Sequence, residues 1–434
     1  MADLSQIVAF CGRRGLVFPG SSLHGGLSGC WDYGPAGTAL KRRIESLWWQ
    51  EVVEKNSDIV GLDAAILMPP PVWQASGHEE NFSDPMVDCR ACKARLKAED
   101  FDSKKSCSCG ATDWTDPRQF NLMLSTQVGA MEDSATRAYL RPETAQGIFV
   151  NAIQVARLSR LPIPFGIAQV GKAFRNEITP RNFLFRVREF TQMEVEIFCH
   201  PEESQDLFNS WVEKRMAFYS KTLGIRSKHL HTRIHNDSEL AHYAQSCIDV
   251  EYDFPFGRRE LEGVADRGTW DLDQHAAKTG KNLTLSHPEK GKFVPAVVEA
   301  SAGLDRTFLT VISDALDTTD PKHTILRIHP RLAEHEVALF PLVRKEGMPE
   351  RALELASLLG EKFRTKVESR GSIGKRYFRE DEAGTPLAIT VDGQTAVDRT
   401  VTLRFRDRGE QIRLEISDLH DGITKALEEK PFWP

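Results

Sequence analysis

The segment from residue 174 to residue 198 constrains the fold more than any other stretch of this chain. It predicts two strands joined by a turn at residues 179–182, because proline fixes φ there and asparagine tolerates turn geometry. Side chains on a strand alternate between two faces, so Met193, Val195 and Ile197 are predicted to face a core. The segment therefore predicts an antiparallel hairpin with one apolar and one polar face.

The polar face of this hairpin carries side chains that suit a nucleotide or an amino acid. Arg175 and Glu177 share one face of the first arm. One face of the second arm is predicted to carry Arg186, Arg188, Phe190, Gln192, Glu194 and Glu196. Arginine forks match phosphate oxygens, an aromatic ring can stack on a base, and carboxylates can hold an ammonium group. The alternative is a charged sheet face that contacts only solvent.

The composition is that of a globular protein with more than one domain. The chain has 434 residues, 41% hydrophobic and 27% charged, and domains usually contain about 100 to 200 residues. A formal net charge of −6 argues against a protein that coats nucleic acid nonspecifically. Any nucleic acid that it binds must therefore contact a local basic patch. The N-terminus becomes charged at Arg13 and Arg14, before an apolar run of signal-peptide length, and no stretch is apolar enough to span a bilayer. We therefore expect a cytoplasmic protein without a membrane partner.

Four of the eight cysteines fall in one short segment. Cys89 and Cys92 form one pair, and Cys107 and Cys109 form the other. Two pairs on tight turns are what a tetrahedral four-thiolate zinc site needs, although the second pair is closer together than in most zinc ribbons. The alternative is a degenerate knuckle with free thiols. Four closed ligands would make the zinc structural.

Later segments add further polar groups. A turn-rich loop follows apolar strands, and its candidate ligand groups are Arg141, Glu143 and Gln146. Strand alternation places Glu299 together with Ser301, and predicts a shared face for Glu260 and Glu262. Arg306 is predicted in the first turn of the next helix, where exposed backbone N–H groups favour anions, although a lone arginine there is often a plain surface charge.

The last part of the chain alternates strand and helix after a polar stretch at residues 318–323, which predicts a small mixed α/β domain. In its final hairpin, at residues 400–416, Val401, Leu403 and Phe405 are predicted to face Ile412, Leu414 and Ile416 as core. Arg404 and Arg406 are then predicted to point outward near Arg408 and to form, with Lys375, Arg376 and Arg379, a basic set suited to a nucleic-acid backbone. The alternative, which is more common for such a set, is that these are separate surface arginines with no shared ligand.

The motifs in combination resemble one family. Motif 2 of class II aminoacyl-tRNA synthetases is similar to residues 174–177, Phe-Arg-Asn-Glu, followed by Arg186, Phe190 and Glu194. The glycyl form of motif 3 is similar to residues 299–306, Glu-Ala-Ser-Ala-Gly-Leu-Asp-Arg. Further similarity is found in residues 25–35, 73–78, 141–147 and 374–386. Nearly the whole chain thus resembles the dimeric class II (subclass IIa) glycyl-tRNA synthetases.

The resemblance implies an α+β fold. A class II synthetase-like antiparallel sheet flanked by helices would occupy residues 1–320, with a small cysteine-containing insertion, a candidate zinc knuckle, at residues 86–115. A mixed α/β anticodon-binding-like domain would occupy residues 324–434, and the protein would form a homodimer. Three features depart from the family's pattern: three prolines at residues 69–71 near the expected dimer interface, Arg258 where a tryptophan is expected at the pocket rim, and a chain that is short for the family.

The resemblance also implies how ATP would bind. Arg175 would contact the α-phosphate, Glu177 would meet the adenine edge, and Phe190 would stack on adenine. Arg186 and Arg306 would hold the γ-phosphate end.

Glycine, metal and tRNA sites follow from the same resemblance. Glu143 and Glu194 would hold the ammonium group of glycine, with Ser301 lining the pocket. Mg²⁺ would bind near Glu299. The candidate tRNA contacts are Arg376, Arg404 and Arg406.

The implied reaction is the activation of glycine by ATP to glycyl-adenylate, followed by transfer of glycine to the 3′ end of tRNA(Gly). The protein would then be a ligase with ATP as substrate, Mg²⁺ as cofactor and a structural Zn²⁺. One alternative is a non-catalytic synthetase-like paralogue that binds RNA or a protein partner, although such relatives typically lose the ATP-binding arginines. Another is a ligase that transfers glycine to an acceptor other than tRNA.

Overall fold

The structure, a computed structural model, describes residues 2–98, 106–129, 137–241 and 243–428. Residues 99–105 of the predicted cysteine-containing insertion lie outside the described residues. The first helix begins after Asp3, whose side chain accepts a hydrogen bond from the backbone N–H of Gln6 in a capping box. The N-terminal elements are α1 (Leu4–Arg13), β1 (Val17–Pro19), β2 (Trp31–Tyr33), α2 (Pro35–Trp49), β3 (Ile59–Gly61), β4 (Leu67–Met68), α3 (Pro70–Ala75) and α4 (His78–Asn81).

The middle of the chain supplies most of the strands. The first group is β5 (Ser83–Asp88), β6 (Arg95–Lys97), β7 (Arg118–Asn121), β8 (Leu124–Gln127) and β9 (Arg137–Leu140). The second group is α5 (Ala145–Phe149), α6 (Ala152–Ser159), β10 (Phe165–Phe174), β11 (Glu189–Cys199), α7 (Ser204–Ala217), β12 (Leu230–Ile234), β13 (Ser246–Phe254), β14 (Gly257–Gly268), α8 (Trp270–Thr279), β15 (Leu285–His287), β16 (Gly291–Phe293), β17 (Ala296–Gly303), α9 (Leu304–Ala315), β18 (Leu316–Asp317) and β19 (Ile325–Leu326).

A seven-stranded sheet organises this region. Its order is β12-β13-β14-β17-β11-β10-β3, and its neighbours are antiparallel except for β10 and β3. Met193, Val195 and Ile197 of β11 face the main hydrophobic core, as predicted, together with Trp211 of α7 and Phe308 of α9. Because the helices cover that face, the polar side chains of β11 are left on the opposite face, where they form the floor of a pocket.

The connection between β10 and β11 differs from the prediction. Residues 175–188 form a long loop, where the sequence predicts strand ends joined by a tight turn. The residues that this places in the loop are Arg175, Glu177, Arg186 and Arg188. Asn182 and Phe183 have φ values of 59° and 58°, in the left-handed region that a strand does not use. The predicted shared strand face of Arg186, Arg188 and Phe190 is therefore wrong.

A second prediction, that Glu260 and Glu262 share a face, is also wrong because of a β-bulge. Successive residues of β13 pair with Glu262 and Glu260, so Leu261 is an extra residue on β14. Glu262 is fully buried and accepts a hydrogen bond from Nε of Arg215 at 2.6 Å. Glu260 lines the pocket on the opposite side of the sheet.

The C-terminal part forms a second sheet with helices on both faces, as the predicted mixed α/β domain requires. Its elements are β20 (Val337–Pro341), α10 (Met348–Gly360), β21 (Thr365–Val367), α11 (Ile373–Ala383), β22 (Leu387–Val391), α12 (Gly393–Asp398), β23 (Thr400–Phe405), β24 (Gln411–Glu415) and α13 (Leu419–Glu428). The strand order is β21-β20-β22-β23-β24, with β20 parallel to β21 and β22. Of the predicted core residues, Val401, Leu403 and Phe405 are buried with α10 and α13, and Leu414 and Ile416 pack against this core. Ile412 is exposed, so its predicted core position is wrong.

The prediction that Arg404 and Arg406 point to solvent is wrong. Helix α11 covers that face of the sheet, so Arg404 forms a paired hydrogen bond with buried Asp381 at 2.8 and 2.9 Å. Arg406 donates to backbone carbonyl oxygens of Gly384 and Ile328. Arg376 on α11 is also buried and donates to the backbone oxygens of Pro341 and Leu342 at the end of β20. Their hydrogen-bonding groups are therefore used inside the fold.

The two sheets have separate hydrophobic cores. Leu326, Ile328 and Leu332 still pack with the first core, and the second core begins at Val337. The division of the chain at residues 320–324 stays a prediction. Within the described residues, no helix has the length and apolar character needed to cross a membrane.

Candidate active site

A pocket of about 660 Å³ lies on the polar face of the seven-stranded sheet. It brings together side chains from four separate parts of the chain: Glu143, residues 175–194, residues 233–265 and residues 299–306. The predicted ATP, glycine and magnesium residues that line it are Glu143, Arg175, Glu177, Arg186, Phe190, Glu194, Glu299, Ser301 and Arg306. The four cysteines and the three predicted tRNA-binding arginines lie elsewhere.

The loop at residues 175–188 is fastened to the glycine-rich N-terminal segment. Nε of Arg188 donates to the backbone oxygen of Glu177 at 2.9 Å, and its backbone N–H donates to the oxygen of Gly29 at 2.9 Å. Gly29 has a φ of 77°, and a Cβ atom there would lie 2.7 Å from the ring of Pro180. A glycine is therefore required for the two segments to approach this closely.

One end of the pocket is rich in arginine and aromatic side chains. The guanidinium of Arg175 lies 5.2 Å from the ring centroid of Phe82 and 5.3 Å from that of Phe190. Arg306, in the first turn of α9, forms an ion pair with Glu260 at 3.2 Å and holds the pKa of that carboxyl below its usual value. These groups suit a phosphate chain attached to an aromatic base.

Two buried polar atoms at this end have no hydrogen-bond partner among the described residues. They are Oε2 of Glu177 and one terminal guanidinium nitrogen of Arg186. Buried polar atoms in folded proteins are nearly always paired, so unpaired ones in a pocket are fitted to a polar ligand.

The other end of the pocket is a group of carboxylates on adjacent strands. Glu194 of β11 lies opposite Ser301 of β17, and Gln192 donates to Glu194 at 3.1 Å and to Ser301 at 2.8 Å. Thr144 donates its hydroxyl to the other oxygen of Glu194. Burial and the neighbouring Glu299 raise the pKa of Glu194 to about 8.

Glu143 is buried beside two basic groups. Nε2 of His78 lies 3.2 Å from its Oε2, and Gln146 donates to its Oε1 at 3.1 Å. Although burial opposes it, His78 and Arg267 hold the pKa of Glu143 well below its usual range. Glu143 is therefore a fixed negative charge at neutral pH.

Arg267 is the main buried cation of this end of the pocket. It donates to both oxygens of Asp271 at 2.6 and 2.9 Å and to Oε2 of Glu299 at 2.8 Å. Glu196, opposite Glu299 on the neighbouring strand, is fully buried, and neither of its oxygens has a partner among the described residues. Burial, then Glu299 and Glu194, raise the pKa of Glu196 well above its usual value.

The sequence analysis assigned no individual role to several of these residues. They are His78, Thr144, Gln192, Glu196 and Arg267. Strand alternation signals Gln192 and Glu196, since both share the face of Glu194. His78 and Thr144 lie inside two of the motifs quoted above, but only their contacts with the carboxylates identify them.

The four predicted zinc ligands form a cluster away from the pocket. The Sγ atoms of Cys89 and Cys109 are 3.7 Å apart, those of Cys92 and Cys107 are 3.5 Å apart, and the four sulfurs lie within 4.8 Å of one another. A Zn–S bond of about 2.3 Å gives a tetrahedron with sulfurs about 3.8 Å apart. The donor set and its spacing therefore fit a zinc ion.

Two protein-family models match the chain. The model described as "tRNA synthetase class II core domain (G, H, P, S and T)" matches residues 129–315. The model described as "Anticodon binding domain" matches residues 336–426. A solved structure of prolyl-tRNA synthetase from Cryptosporidium parvum, complexed with halofuginone and AMPPNP, is similar with a TM-score of 0.71 over 97% of this chain and 76% of that one. At 14% identity it shows the fold alone, and the predicted fold class is confirmed.

Curated relatives are similar over nearly the whole chain. The glycine–tRNA ligase of Borrelia hermsii is 46% identical, covering 98% of this chain and 98% of that protein. The ligase of Treponema denticola is 46% identical, covering 98% and 97%. The ligase of Clostridium kluyveri is 44% identical, covering 98% of each. Because the chain covers 97% to 98% of the length of these three relatives, the expectation that it is short for the family is wrong. With this identity over full-length relatives, the chain belongs to the glycine–tRNA ligase family of class II aminoacyl-tRNA synthetases.

Proposed function

We propose that this chain activates glycine with ATP and transfers the glycyl group to the 3′ end of tRNA(Gly). The observation that carries the proposal is the pocket itself, which has arginines and aromatic rings at one end and carboxylates at the other. Such a pocket suits two ligands joined at their reacting ends, an ATP phosphate and an amino acid. Membership of the glycine–tRNA ligase family supports the same reaction.

Glycine binding follows from the buried carboxylates. Glu143 and Glu194 would hold the ammonium group, and Ser301, fixed by Gln192, would line the pocket beside it. A larger amino acid would need space for at least one more methyl group in a packed site, and overpacking costs about 1–3 kcal/mol. Two desolvated carboxylates also disfavour any ligand without a cation.

ATP activation needs positioning and charge stabilisation rather than an acid or base. A carboxylate oxygen of glycine attacks the α-phosphorus, the bond to the bridging oxygen breaks, and pyrophosphate leaves with that electron pair. Arg175 would stabilise charge at the α-phosphate, and Arg186 and Arg306 at the γ-phosphate end. Phe190 would stack on adenine, and Glu177 would meet its edge. The 3′-terminal hydroxyl of tRNA then attacks the glycyl carbonyl and releases AMP.

The carboxylates also fit a divalent cation. Oxygens of Glu299, Glu196 and Glu194 lie within 4.8 Å of one another. With Glu194 pairing with the ammonium group, Glu299 and Glu196 would supply carboxylate oxygens of the kind that Mg²⁺ takes. Because Arg267 bonds to one oxygen of Glu299, the other would face the metal. When bound, Mg²⁺ would neutralise charge on the phosphate oxygens. We also propose a structural Zn²⁺ held by Cys89, Cys92, Cys107 and Cys109.

The affinity for glycine is expected to depend on the protonation of Glu194. Its pKa is raised to about 8, so below about pH 8 the carboxyl increasingly holds a proton and cannot pair with an ammonium group. The apparent KM for glycine should therefore fall as pH rises, by up to about tenfold per pH unit below the pKa, and level off above it. Pyrophosphate exchange from pH 6 to pH 9 measures this. A KM for glycine that stays constant across that range would contradict the prediction.

The surface that we propose for tRNA replaces the buried arginines of the prediction. The exposed cations Arg344, Arg370 and Lys375 lie where β20 and β21 end, and Arg344 donates to the backbone oxygen of Ser369 at 2.7 Å. The crevice beyond the carboxyl ends of parallel strands is the usual ligand position in such sheets. The phosphate backbone of tRNA would therefore contact these three exposed cations rather than Arg376, Arg404 or Arg406.

Two substitutions separate this surface from the buried arginines. Lys375→Ala is expected to weaken tRNA binding and to reduce the slope of log K against log salt by about 0.9, with pyrophosphate exchange unchanged. Arg404→Ala is expected instead to lower the free energy of unfolding by about 2 kcal/mol, because Asp381 loses its arginine but keeps His323 at 2.8 Å. Filter binding at several salt concentrations and urea unfolding measure the two effects. If Arg404→Ala instead weakened tRNA binding without loss of stability, and Lys375→Ala did not weaken it, Arg404 would be a tRNA contact after all.

We further propose a cytoplasmic homodimer, as the resemblance implies. Ile66 and Leu67, beside the proline run, are exposed apolar residues that a partner would cover. The prolines themselves fit the fold, because β4 ends before Pro69 and Pro70 occupies the first position of α3. Arg258 pairs with Asp253 at 3.0 Å, which gives it a partner at the pocket rim. Sedimentation velocity tests the dimer.

The reaction is tested by ATP–pyrophosphate exchange with each amino acid, followed by charging of tRNA(Gly). Exchange that depends on glycine, and charging of tRNA, are the expected results. Folded protein without exchange would favour the non-catalytic paralogue. Exchange without tRNA charging would favour a ligase with another acceptor.

A further inference from the structure

The cysteine cluster holds together one end of two strands. Cys89 follows β5 directly and pairs in an isolated bridge with Trp114, four residues before β7 begins. The backbone N–H of Thr115 donates to the oxygen of Asp88 at 2.9 Å. At this end, the Sγ atoms of Cys109 and Cys107 lie against those of Cys89 and Cys92, respectively. Anything that fixes the four sulfurs therefore fixes the pairing of β5 and β7.

The opposite ends of the same strands reach the proposed active site. Asn121, the last residue of β7, donates its side-chain N–H groups to the backbone oxygens of His78 at 3.3 Å and Glu79 at 2.9 Å. The backbone N–H of Leu122 donates to the oxygen of Phe82 at 3.0 Å. The oxygen of Leu122 accepts from Asn176 at 2.7 Å, in the loop between Arg175 and Glu177.

These contacts fix the positions of two side chains, His78 and Phe82, that contact residues lining the pocket. His78 lies 3.2 Å from Glu143, one of the two carboxylates proposed for the ammonium group. Phe82 supplies one of the rings beside Arg175, at 5.2 Å. The segment at residues 78–82 therefore links the glycine end of the pocket to the phosphate end. Hydrogen bonds from Asn121 and Leu122, at the end of β7, fix the position of that segment.

The small sheet of β5, β6 and β7 has little apolar material of its own. Its strands contain 6, 3 and 4 residues, and its buried aliphatic side chains include Met86 and Val87. A unit below about 40 residues rarely folds firmly without a metal, a disulfide or a partner. The cysteines are free thiols, and sulfurs 3.5 to 3.7 Å apart do not form disulfides, whose S–S length is about 2.05 Å.

We infer that Zn²⁺ bound by Cys89, Cys92, Cys107 and Cys109 sets the affinity for glycine and ATP, because it holds β5 and β7 in the register that positions His78 and Phe82. This inference rests on the proposed glycine and ATP sites. The zinc would touch neither substrate, so His78 and Phe82 act as positioning residues for Glu143 and Arg175. Loss of metal should loosen the segment at residues 78–82 and leave the seven-stranded sheet folded.

The first test compares Cys109→Ser, Cys109→His and Ser108→Ala in the full chain. Cys109 is exposed, so its replacement does not open a core. Cys109→Ser should lose zinc, raise the KM values for glycine and ATP about 10-fold to 100-fold, and speed amide hydrogen exchange at residues 78–82. Cys109→His keeps a zinc ligand, so zinc content, KM values and hydrogen exchange should return to those of the wild type. Ser108→Ala, on the same turn, should match the wild type.

The second test removes the hydrogen bonds between β7 and the segment at residues 78–82 but leaves the zinc site intact. Asn121→Ala should retain one zinc per chain, as measured by metal analysis, and still raise the KM for glycine. Because both changes act through the same segment, the double variant with Cys109→Ser should lose less than the sum of the two effects. Fully additive effects would overturn the coupling.

Two other outcomes would overturn the inference. One is wild-type protein that takes up no zinc after reduction and incubation with the metal. The other is a Cys109→Ser variant that has lost zinc but keeps wild-type KM values and hydrogen exchange. Failure of the proposed function is distinguished by wild-type protein that binds zinc and shows no exchange with any amino acid.

Discussion

Glu194→Gln is expected to lower kcat/KM for glycine by about 10² to 10⁴-fold, because removal of one partner of a buried charge pair costs about 3–5 kcal/mol. The carboxylate is almost fully buried, and Thr144 and Gln192 hold its two oxygens in place. Glutamine keeps the shape of the side chain but cannot balance the charge of an ammonium group. The pH dependence of the KM for glycine should disappear together with the affinity.

The matched control is Glu189→Gln, the same chemical change at the start of the same strand. Glu189 is half-exposed and pairs with Lys172 at 2.7 Å, outside the pocket. Its replacement should leave exchange kinetics unchanged. The KM for ATP should change little in either variant. If Glu194→Gln retained wild-type kcat/KM, the ammonium group would have to bind elsewhere.

Arg175→Lys is expected to lower kcat for glycyl-adenylate formation by about 10² to 10³-fold, the usual cost of removing one fixed charge donor from a transition state. Arg175 is held by the rings of Phe82 and Phe190 and by a hydrogen bond from Nε to the oxygen of Pro142 at 3.1 Å. Lysine keeps the charge, but it has neither the planar fork nor the Nε–H donor. Single-turnover measurement of adenylate formation reports this step directly.

Arg157→Lys, on the exposed surface of α6, is the matched control and should behave as wild type. Since lysine still attracts phosphate, the KM for ATP should rise less than kcat falls in the Arg175 variant. A change in KM alone would mean that Arg175 binds ATP equally in the ground state and the transition state. The proposed role at the α-phosphate would then be wrong.

Local sequence patterns predicted much of the fold and of the pocket. Alternation along β11 was enough to separate Met193, Val195 and Ile197 from Gln192, Glu194 and Glu196, because a strand has a period of two residues. The same rule failed at Glu260 and Glu262, where one extra residue reverses the faces and no residue type marks the bulge. It also failed in the loop after β10, where left-handed residues replace the strand.

The buried arginines show a different limit. Alternation correctly placed Arg404 on the face opposite Leu403, but which element covers that face depends on the crossover of α11, far away in the chain. A sequence can state which side chains share a face. Whether that face meets water or a helix is decided by chain topology.

The sequence alone determined the local features of this protein: the two-faced strands, the paired cysteines and the motifs that indicate a class II synthetase. Each of these depends on residues that are near one another in the chain. The tertiary structure alone decided which distant groups meet, such as His78 with Glu143, Arg267 with Glu299, and Asn121 with the segment before β5. Their contacts arise from strand order and loop closure, and no local period or propensity records those.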